Sequence, residues 1–333
     1  MSDPAARAEL IEDRGEAAAG TEFFRSRPFL DAEGVTHSLR IEGEGVDLLA
    51  PLIVREIGDS GERDAISPYG YPGLIEGDGS RGRARRSNGG EAPAGSPPTP
   101  VALALSGVDF SAAGLVSVFI RHTLGESPLV GATPRNVVQI ADPALPPKSR
   151  PSDRRQVRKN IEAGYELTLV PGGETTPAQR AGFRIVYEQT MRRTAAAEHY
   201  FFPGAYFDRL LEADHAWLAL ATAPGGEIAA ASLAAVSDGF LHYYLSGSAD
   251  AHLRDSPMKN VVARLIEHSA ELELPLNLGG GITAGDALEE FKRGFANRQE
   301  TWHTSEIVCD RGAYERLSAG RDAGGYFPAY RAP

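Results

Sequence analysis

Apolar residues in this chain form short runs separated by turns that contain glycine and proline. The N-terminal half has runs of strand length at residues 38–42, 46–57, 101–105 and 136–140. Dense apolar runs of this length predict buried strands. Phe110, Leu115, Val118 and Phe119 recur near helical spacing, which predicts a helix over residues 110–122.

The C-terminal half gives a clearer alternation of elements. The apolar pattern predicts strands at residues 166–170, 216–222, 227–236, 240–246 and 275–278. Helices are predicted at residues 176–193, at residues 205–211 and after the Ser256-Pro257 pair. Tight turns between the three central strands favour an antiparallel meander. Strands alternating with helices indicate an α/β (α+β) protein.

Length and composition suggest two domains. We predict a disordered leader over residues 1–20, an N-terminal domain over 21–150, a C-terminal domain over 151–320 and a tail over 321–333. Residues 76–100 are rich in Gly, Ser, Pro and Arg, so we expect a flexible insertion there.

Charge and cysteine content exclude several classes of protein. The net charge of −11 argues against bulk attraction to nucleic acid, although a local basic patch remains compatible with it. Cys309 is the single cysteine, so no intrachain disulfide forms, and no metal-ligand set is evident. With no apolar signal or spanning segment, we expect a cytoplasmic protein that has no membrane association and no cofactor.

Residues 148–159 are the basic part of the chain. Ser152 is a candidate N-cap for a helix that continues to about Glu162 and ends at Gly164. Arg154, Arg155 and Arg158 then lie on or near one face, where an anionic partner would offset their mutual repulsion. A solvated helix between two domains is the alternative.

Two further segments have residues suited to chemistry. In Phe291-Lys292-Arg293-Gly294-Phe295, cations lie between aromatic rings after three successive glycines at 279–281. A cation on an apolar wall stabilises developing negative charge, although an ordinary basic surface helix would have the same composition. Tyr69 and Tyr71 project from a rigid Pro/Gly turn, either as a ligand wall or as a plug for the core.

Residues 254–259 are poorly suited to bind a pyrophosphate such as that of coenzyme A. A pyrophosphate is usually held by the exposed N–H groups of a glycine-rich turn at a helix N-terminus. This segment has no glycine, Pro257 has no N–H group, and Asp255 would repel phosphate. Arg254 and Lys259 could nevertheless attract phosphates by charge.

Several motifs occur in the order found in one known family. They are YEQTMRR at 187–193, YFFPGAYFDRL at 200–210, Tyr244-Leu245-Ser246-Gly247, Ser256-Pro257, the glycines at 279–281 and the FKRGF segment at 291–295. The chain resembles the Fem family of aminoacyl-tRNA-dependent peptidyl transferases, within the GNAT acyltransferase superfamily. The SPYGYPG turn at 67–73 and residues 154–167 extend the resemblance into the N-terminal half.

The resemblance implies tandem GNAT-like domains with mixed, mostly antiparallel sheets flanked by helices. It implies that Phe291 and Lys292 lie at the reaction centre, and Asp286 is a candidate for handling the proton. It also implies that Tyr69, Tyr71, Tyr187 and Arg193 face the acceptor; we add Tyr244, which is a candidate for proton transfer as well. The tRNA would be held by Arg154, Arg155, Arg158, Arg254 and Lys259.

The expected function is therefore amide-bond formation between an amino acid from aminoacyl-tRNA and an amine of a small peptide-like acceptor. That acceptor would be a peptide natural product or a peptidoglycan precursor, and no stable protein partner is implied. The chain lacks the charged helical hairpin found in many peptidoglycan-building relatives, which favours the small-molecule acceptor. The alternatives are an acyl-CoA-dependent N-acyltransferase and a non-catalytic binding protein with the same fold.

Overall fold

The computed structural model describes residues 6–77, 105–125, 131–281, 283 and 285–332. Most of the expected insertion at 76–100 and most of the expected strand at 101–105 lie outside these ranges. Within the described residues, no helix is both long enough and apolar enough to cross a membrane.

The strands are numbered in chain order. Their bounds are β1 Ala6–Ile11, β2 His37–Gly43, β3 Val46–Glu56, β4 Arg63–Ile66, β5 Ile75–Glu76, β6 Val108–Asp109, β7 Ser117–Arg121, β8 Thr133–Ala141, β9 Glu166–Pro171, β10 Ala216–Thr222, β11 Ile228–Ser237, β12 Phe240–Ser248, β13 Leu276–Gly279 and β14 Arg298–Val308.

The α-helices are α1 Arg27–Ala32, α2 Pro151–Glu162, α3 Pro177–Arg193, α4 Gly204–Leu210, α5 Met258–Leu272, α6 Ala287–Arg293 and α7 Arg311–Ser318. Local sequence explains several of their ends. Thr176 and Gln179 form a capping box at the start of α3, and Gly164 adopts a φ of +90° just after α2.

The chain divides into two compact units that do not follow a single cut in the sequence. Unit 1 contains residues 1–20, 33–135 and 302–333, and unit 2 contains residues 21–32 and 136–301. The division into two domains at residue 150 therefore stays a prediction.

In unit 1, the strand order is β6-β1-β2-β3-β4-β7-β14, with β5 paired to β3. Most of these pairs are antiparallel, and β1–β6 and β4–β7 are parallel. The core contains fully buried Leu39, Ile41, Leu52 and Ile120. Alternation in β2 and β3 places Leu39, Ile41 and Leu52 on one face.

In unit 2, the strand order is β8-β13-β12-β11-β10-β9. The β12–β13 pair is parallel and the other pairs are antiparallel. Helix α5 packs against this sheet through Val261, Val262 and Leu265, which are 1% exposed or less. The predicted fold class, mixed α/β with mostly antiparallel sheets and flanking helices, is confirmed.

Two predictions for the N-terminal half are wrong. Residues 110–122 do not form a helix, because Gly114 adopts φ +62° and the chain then continues as β7. The alternating burial of β7 explains the apolar pattern that looked helical. The part of the expected disordered leader that forms β1 is ordered, since β1 pairs with β2 along its whole length.

The basic helix was predicted well at its end and less well at its start. Helix α2 ends at Glu162, but its N-cap is Arg150 rather than Ser152. Pro151 explains the difference, because proline has no N–H group to satisfy and suits the first helical position.

Candidate active site

Lys292 lies near the end of α6 and is held against the glycine turn that follows β13. Its ammonium group donates a hydrogen bond to the Gly280 carbonyl oxygen at 2.7 Å. The residue is only 8% exposed. Gly279 adopts φ +78°, and a Cβ at this position would be 3.1 Å from the Lys292 Nζ atom. The turn therefore requires glycine for its conformation and to leave space for the lysine.

Burial changes the acid–base behaviour of Lys292. Loss of hydration lowers the pKa of this side chain from 10.5 to about 8, while the negative charge of Asp286 opposes the change. The ammonium form still predominates at pH 7, and the population of the neutral amine increases as the pH approaches about 8. A positive charge with little hydration interacts strongly with a developing anion.

Asp286 begins α6 and orders the turn in front of Lys292. One carboxylate oxygen accepts the Glu289 N–H at 2.7 Å, and the other accepts the Thr283 N–H at 3.0 Å. Side-chain capping of this kind fixes the first turn of a helix. The candidate proton acceptor thus has a structural role at the N-cap and contributes negative charge to Lys292.

The two aromatic residues that flank Lys292 in sequence pack into the core, whereas Arg293 lies at the surface. Phe291 and Phe295 lie 5.6 Å apart between ring centroids, and both pack with the core of unit 2. Arg293 pairs with Glu289 and Glu290 on the outer surface of α6. The two cations of the FKRGF segment therefore occupy different environments.

A buried polar pair supports the glycine turn, and the sequence did not reveal it. The Asn277 Oδ1 atom accepts the Gly279 N–H at 2.8 Å, and its Nδ2 atom lies 3.1 Å from the His242 Nδ1 atom. The His242 Nε2 atom lies 3.2 Å from the Ser237 carbonyl oxygen. Burial lowers the pKa of His242 to about 4, so the imidazole is neutral at pH 7.

These contacts determine the tautomer of His242. A carbonyl oxygen can only accept, so the proton of the neutral ring lies on Nε2 and is donated to Ser237. The Nδ1 atom is then an acceptor for the Asn277 amide. A polar asparagine at the end of an apolar strand was the available signal, but its partner lies 35 residues away.

The predicted tyrosines lie in several environments. Tyr187 is 2% exposed and donates to the Tyr200 carbonyl oxygen at 2.9 Å, so it is a core residue rather than part of an open acceptor surface. Tyr244 packs edge-on against Phe24. Tyr69 and Tyr71 belong to unit 1, where Tyr69 is 39% exposed and Tyr71 packs against Trp302.

Arg193 lies at the end of α3 and has several partners. It forms an ion pair with Asp250 and donates to the Ser248 carbonyl oxygen at 3.3 Å. The predicted role in acceptor binding would therefore require Arg193 to exchange these contacts for a ligand.

The inner side of α2 is fixed to α5 by polar contacts. The Asn160 Nδ2 atom donates to the Asn260 Oδ1 atom at 2.7 Å, and Asn260 donates to the Val157 carbonyl oxygen at 3.0 Å. The Lys259 ammonium is 2.8 Å from an Asp153 carboxylate oxygen. Lys259, predicted to bind tRNA, is thus already paired with Asp153, the one acid in the basic segment.

The outer side of α2 presents the predicted arginines. Arg154 donates to the Ser149 side chain and carbonyl, whereas Arg155 and Arg158 are exposed. Neither of these two has a carboxylate partner in the described part of the chain. Arg254 is exposed near the start of α5.

The N-terminus of α5 is partly closed by its own backbone. Ser256 adopts φ +49° and Pro257 is the N-cap, while the N–H groups of Lys259 and Asn260 donate to the carbonyls of Ser256 and Pro257 at 3.0 Å. These donors are therefore not free to form a phosphate cradle.

Comparison with known proteins agrees with this architecture. Residues 147–293 match the family model described as the acetyltransferase (GNAT) domain. FemX matches with a TM-score of 0.58 at 9% identity, covering 84% of this chain and 89% of that chain. Among curated protein sequences, no significant match is found.

Two further solved structures extend the comparison. L-PGS from Bacillus licheniformis has a TM-score of 0.51 at 12% identity, covering 84% of this chain and 86% of that chain. A C-terminal domain from Agrobacterium fabrum, described as that of a lysylphosphatidylglycerol synthetase, has a TM-score of 0.54 at 12% identity, covering 90% and 92%. The chain has a Fem-like GNAT fold, and the acetyltransferase-domain match over residues 147–293 indicates an acyltransferase.

Proposed function

We propose that this Fem-like GNAT protein transfers an amino acid from aminoacyl-tRNA to an amine of a small peptide-like acceptor. The observation that carries the proposal is the buried ammonium of Lys292, held by the Gly280 carbonyl beside a glycine turn. The FKRGF segment that contains it resembles the segment at the reaction centre of the Fem family.

The proposed reaction needs few protein groups, because the ester of aminoacyl-tRNA is already activated. The acceptor amine attacks the ester carbonyl carbon, the C–O bond to the tRNA ribose breaks, and an amide bond forms. The proton lost by the amine leaves with the ribose hydroxyl. The protein must orient the two substrates and stabilise the tetrahedral oxyanion.

Lys292 is suited to stabilising this oxyanion. With a pKa of about 8, the side chain is mostly cationic at pH 7. Because it is shielded from water, its charge acts on a nearby oxyanion with little competition from solvent. Phe291 and Phe295, which flank Lys292 in sequence, pack into the apolar core of unit 2.

The outer face of α2 is the proposed contact for the tRNA backbone. Arg155 and Arg158 are exposed and have no acidic partner within the described residues, although the chain as a whole carries a charge of −11. Cations left unpaired on one helical face are suited to contact phosphates, which supply affinity without reading sequence.

Acyl-CoA is a second candidate donor, because the matched family model describes an acetyltransferase domain. Two features of the chain disfavour it. Residues 254–259 contain no glycine, and the N–H groups of Lys259 and Asn260 at the start of α5 already donate to backbone carbonyls.

A donor-competition experiment tests the proposal directly. The protein is incubated with candidate peptide amines and either a mixed pool of charged tRNAs or acetyl-CoA, and consumption of each donor is measured. The proposal predicts amine-dependent loss of the aminoacyl ester. Consumption of acetyl-CoA alone would replace it with the second candidate.

Removing charge from α2 tests the site of tRNA binding. The double variant Arg155→Ala/Arg158→Ala should raise KM for charged tRNA by on the order of 10-fold and flatten its salt dependence. The matched control, Arg192→Ala/Arg209→Ala, removes the same charge from exposed positions on α3 and α4. Equal effects in both variants would exclude a specific role for α2.

A further inference from the structure

Beneath the glycine turn, a line of buried hydrogen bonds connects the sheet of unit 2 to Lys292. It runs from the Ser237 carbonyl to His242, from His242 to Asn277, and from Asn277 to the Gly279 N–H. The next residue, Gly280, accepts the hydrogen bond from Lys292. His242 and Asn277 are each 2% exposed.

The strands bring the two polar side chains together. His242 and Asn277 are register partners in the parallel pair of β12 and β13. On the other side, the Asn277 backbone is paired with Ile140 of β8. Pairing on both edges fixes the Asn277 backbone, so its side chain leaves the sheet at a fixed position next to His242.

The chemistry of the ring determines which way the amide faces. The Nε2 proton of neutral His242 is used by Ser237, so the Nδ1 atom can only accept and requires the NH₂ end of Asn277. The Asn277 carbonyl oxygen must then face the Gly279 N–H. An inverted amide would leave a buried donor and a buried acceptor without partners, which is costly.

We infer that Asn277, oriented by His242, is a positioning residue that holds the Gly279-Gly280 turn in the conformation that seats the Lys292 ammonium. Gly279 has φ +78°, a conformation that needs an external restraint because glycine itself is permissive. The Asn277 carbonyl is that restraint. Without it, the Gly280 carbonyl is no longer held toward Lys292, and the lysine gains access to water. The positioning of Lys292 by Asn277 does not depend on the proposed function; only the catalytic role of the positioned lysine rests on it.

The acid–base behaviour of Lys292 gives a measurement that needs no tRNA and no acceptor. In trace labelling with acetic anhydride, the reaction rate of Lys292 as a function of pH, followed by mass spectrometry, reports its pKa. Among the described residues, the charged group that acts on Lys292 is Asp286, which raises its pKa, and Arg293 is paired with Glu289 and Glu290.

Asn277→Leu is the main variant, because leucine fills a similar volume and removes both hydrogen bonds. In the wild type, Lys292 should titrate at about 8. In the variant, its pKa should rise by about one unit or more as the ammonium becomes hydrated. Ser232→Ala is the matched control, because it removes a buried hydrogen bond to the Leu233 carbonyl on β11 of the same sheet.

His242→Gln keeps a polar side chain but alters the acceptor for the Asn277 amide, and it is used if Asn277→Leu fails to unfold cooperatively. The expected change is in the same direction and smaller. A cooperatively folded variant whose Lys292 still titrates at the wild-type value would overturn the inference. Failure of tRNA-dependent transfer would leave this test untouched, so the two proposals are judged separately.

Discussion

Replacing Lys292 by methionine should make the protein more stable at pH 7 although it removes the proposed oxyanion-stabilising group. The lysine is 8% exposed, and burial lowers its pKa to about 8. Methionine is unbranched and flexible, so it occupies a similar space without carrying a charge into it.

The two pKa values set the size of the effect. The ordinary value of 10.5 and the folded value of about 8 differ by roughly 2.5. At 1.36 kcal/mol for each unit, the folded state is destabilised by about 3 kcal/mol when the lysine is charged in both states. Losing the hydrogen bond to Gly280 subtracts about 1 kcal/mol from the gain in the variant. A net stabilisation of about 2 kcal/mol is expected at pH 7.

The difference in stability between the wild type and Lys292→Met changes sign as the pH rises. Because the folded pKa is the lower one, the unfolded state binds more protons between about pH 8 and pH 10.5. Wild-type stability therefore rises through this window relative to the variant, and the destabilisation is fully present below it. Near pH 10.5, the variant should be the less stable protein by about 1 kcal/mol.

Urea denaturation of wild type and Lys292→Met at pH 7 and near pH 10 measures the difference. Arg293→Met is the control, since Arg293 lies on the exposed surface of α6 beside Glu289 and Glu290. A variant of Lys292 that shows the same stability difference at both pH values would refute the account of a desolvated ammonium. The transfer rate of Lys292→Met should fall by on the order of 100-fold, whereas Arg293→Met should be milder.

Two further predictions concern residues that pack rather than react. Tyr187→Phe should lower the free energy of unfolding by about 1 kcal/mol and leave transfer kinetics unchanged, because its buried hydroxyl donates to the Tyr200 carbonyl; a large rise in KM for the acceptor would restore its predicted binding role. Gly247→Ala should destabilise the protein by about 3 kcal/mol or more in a thermal or urea melt, because its Cβ would lie 2.3 Å from the Val186 carbonyl oxygen. Wild-type stability of Gly247→Ala would show that β12 and α3 separate easily.

The fold of the C-terminal half follows closely from local sequence. The meander of β10, β11 and β12 was predicted because each strand is apolar and each connection contains glycine. Helix α3 was predicted at residues 176–193 from its apolar residues, and the structure shows a capping box of Thr176 and Gln179 at its start. In such elements, local preference and tertiary structure agree.

Elements stabilised mainly by distant partners were missed. Strand β14 begins with the polar residues Arg298, Gln299 and Glu300, and its later part pairs with β7, far away in sequence. Strand β1 alternates alanine with charged residues and depends on pairing with β2. Neither pattern has enough apolar periodicity to be recognised without the partner strand.

The FKRGF segment shows how far sequence reasoning reaches toward the site. Sequence predicted an important lysine with Arg293 pointing elsewhere, and resemblance to the Fem family singled out Lys292, but neither could show what the two side chains contact. The structure does show it: the buried Lys292 ammonium donates to a backbone carbonyl, whereas Arg293 forms ion pairs with two carboxylates. That difference depends on the direction of α6, which Asp286 sets from the N-cap.

A buried, charged lysine at this position is unfavourable for folding, and this cost points to a functional role for Lys292. Burial of Lys292 costs about 3 kcal/mol below its pKa, a large part of the 5–15 kcal/mol that stabilises a typical domain. An apolar side chain would fit at lower cost, as the methionine variant tests. Among the described residues, the ammonium has no direct ion pair, and its hydrogen-bond acceptor is the Gly280 carbonyl. A charge left partly unsatisfied in this way can still be offered to a substrate, whereas the neutralised Arg293 cannot.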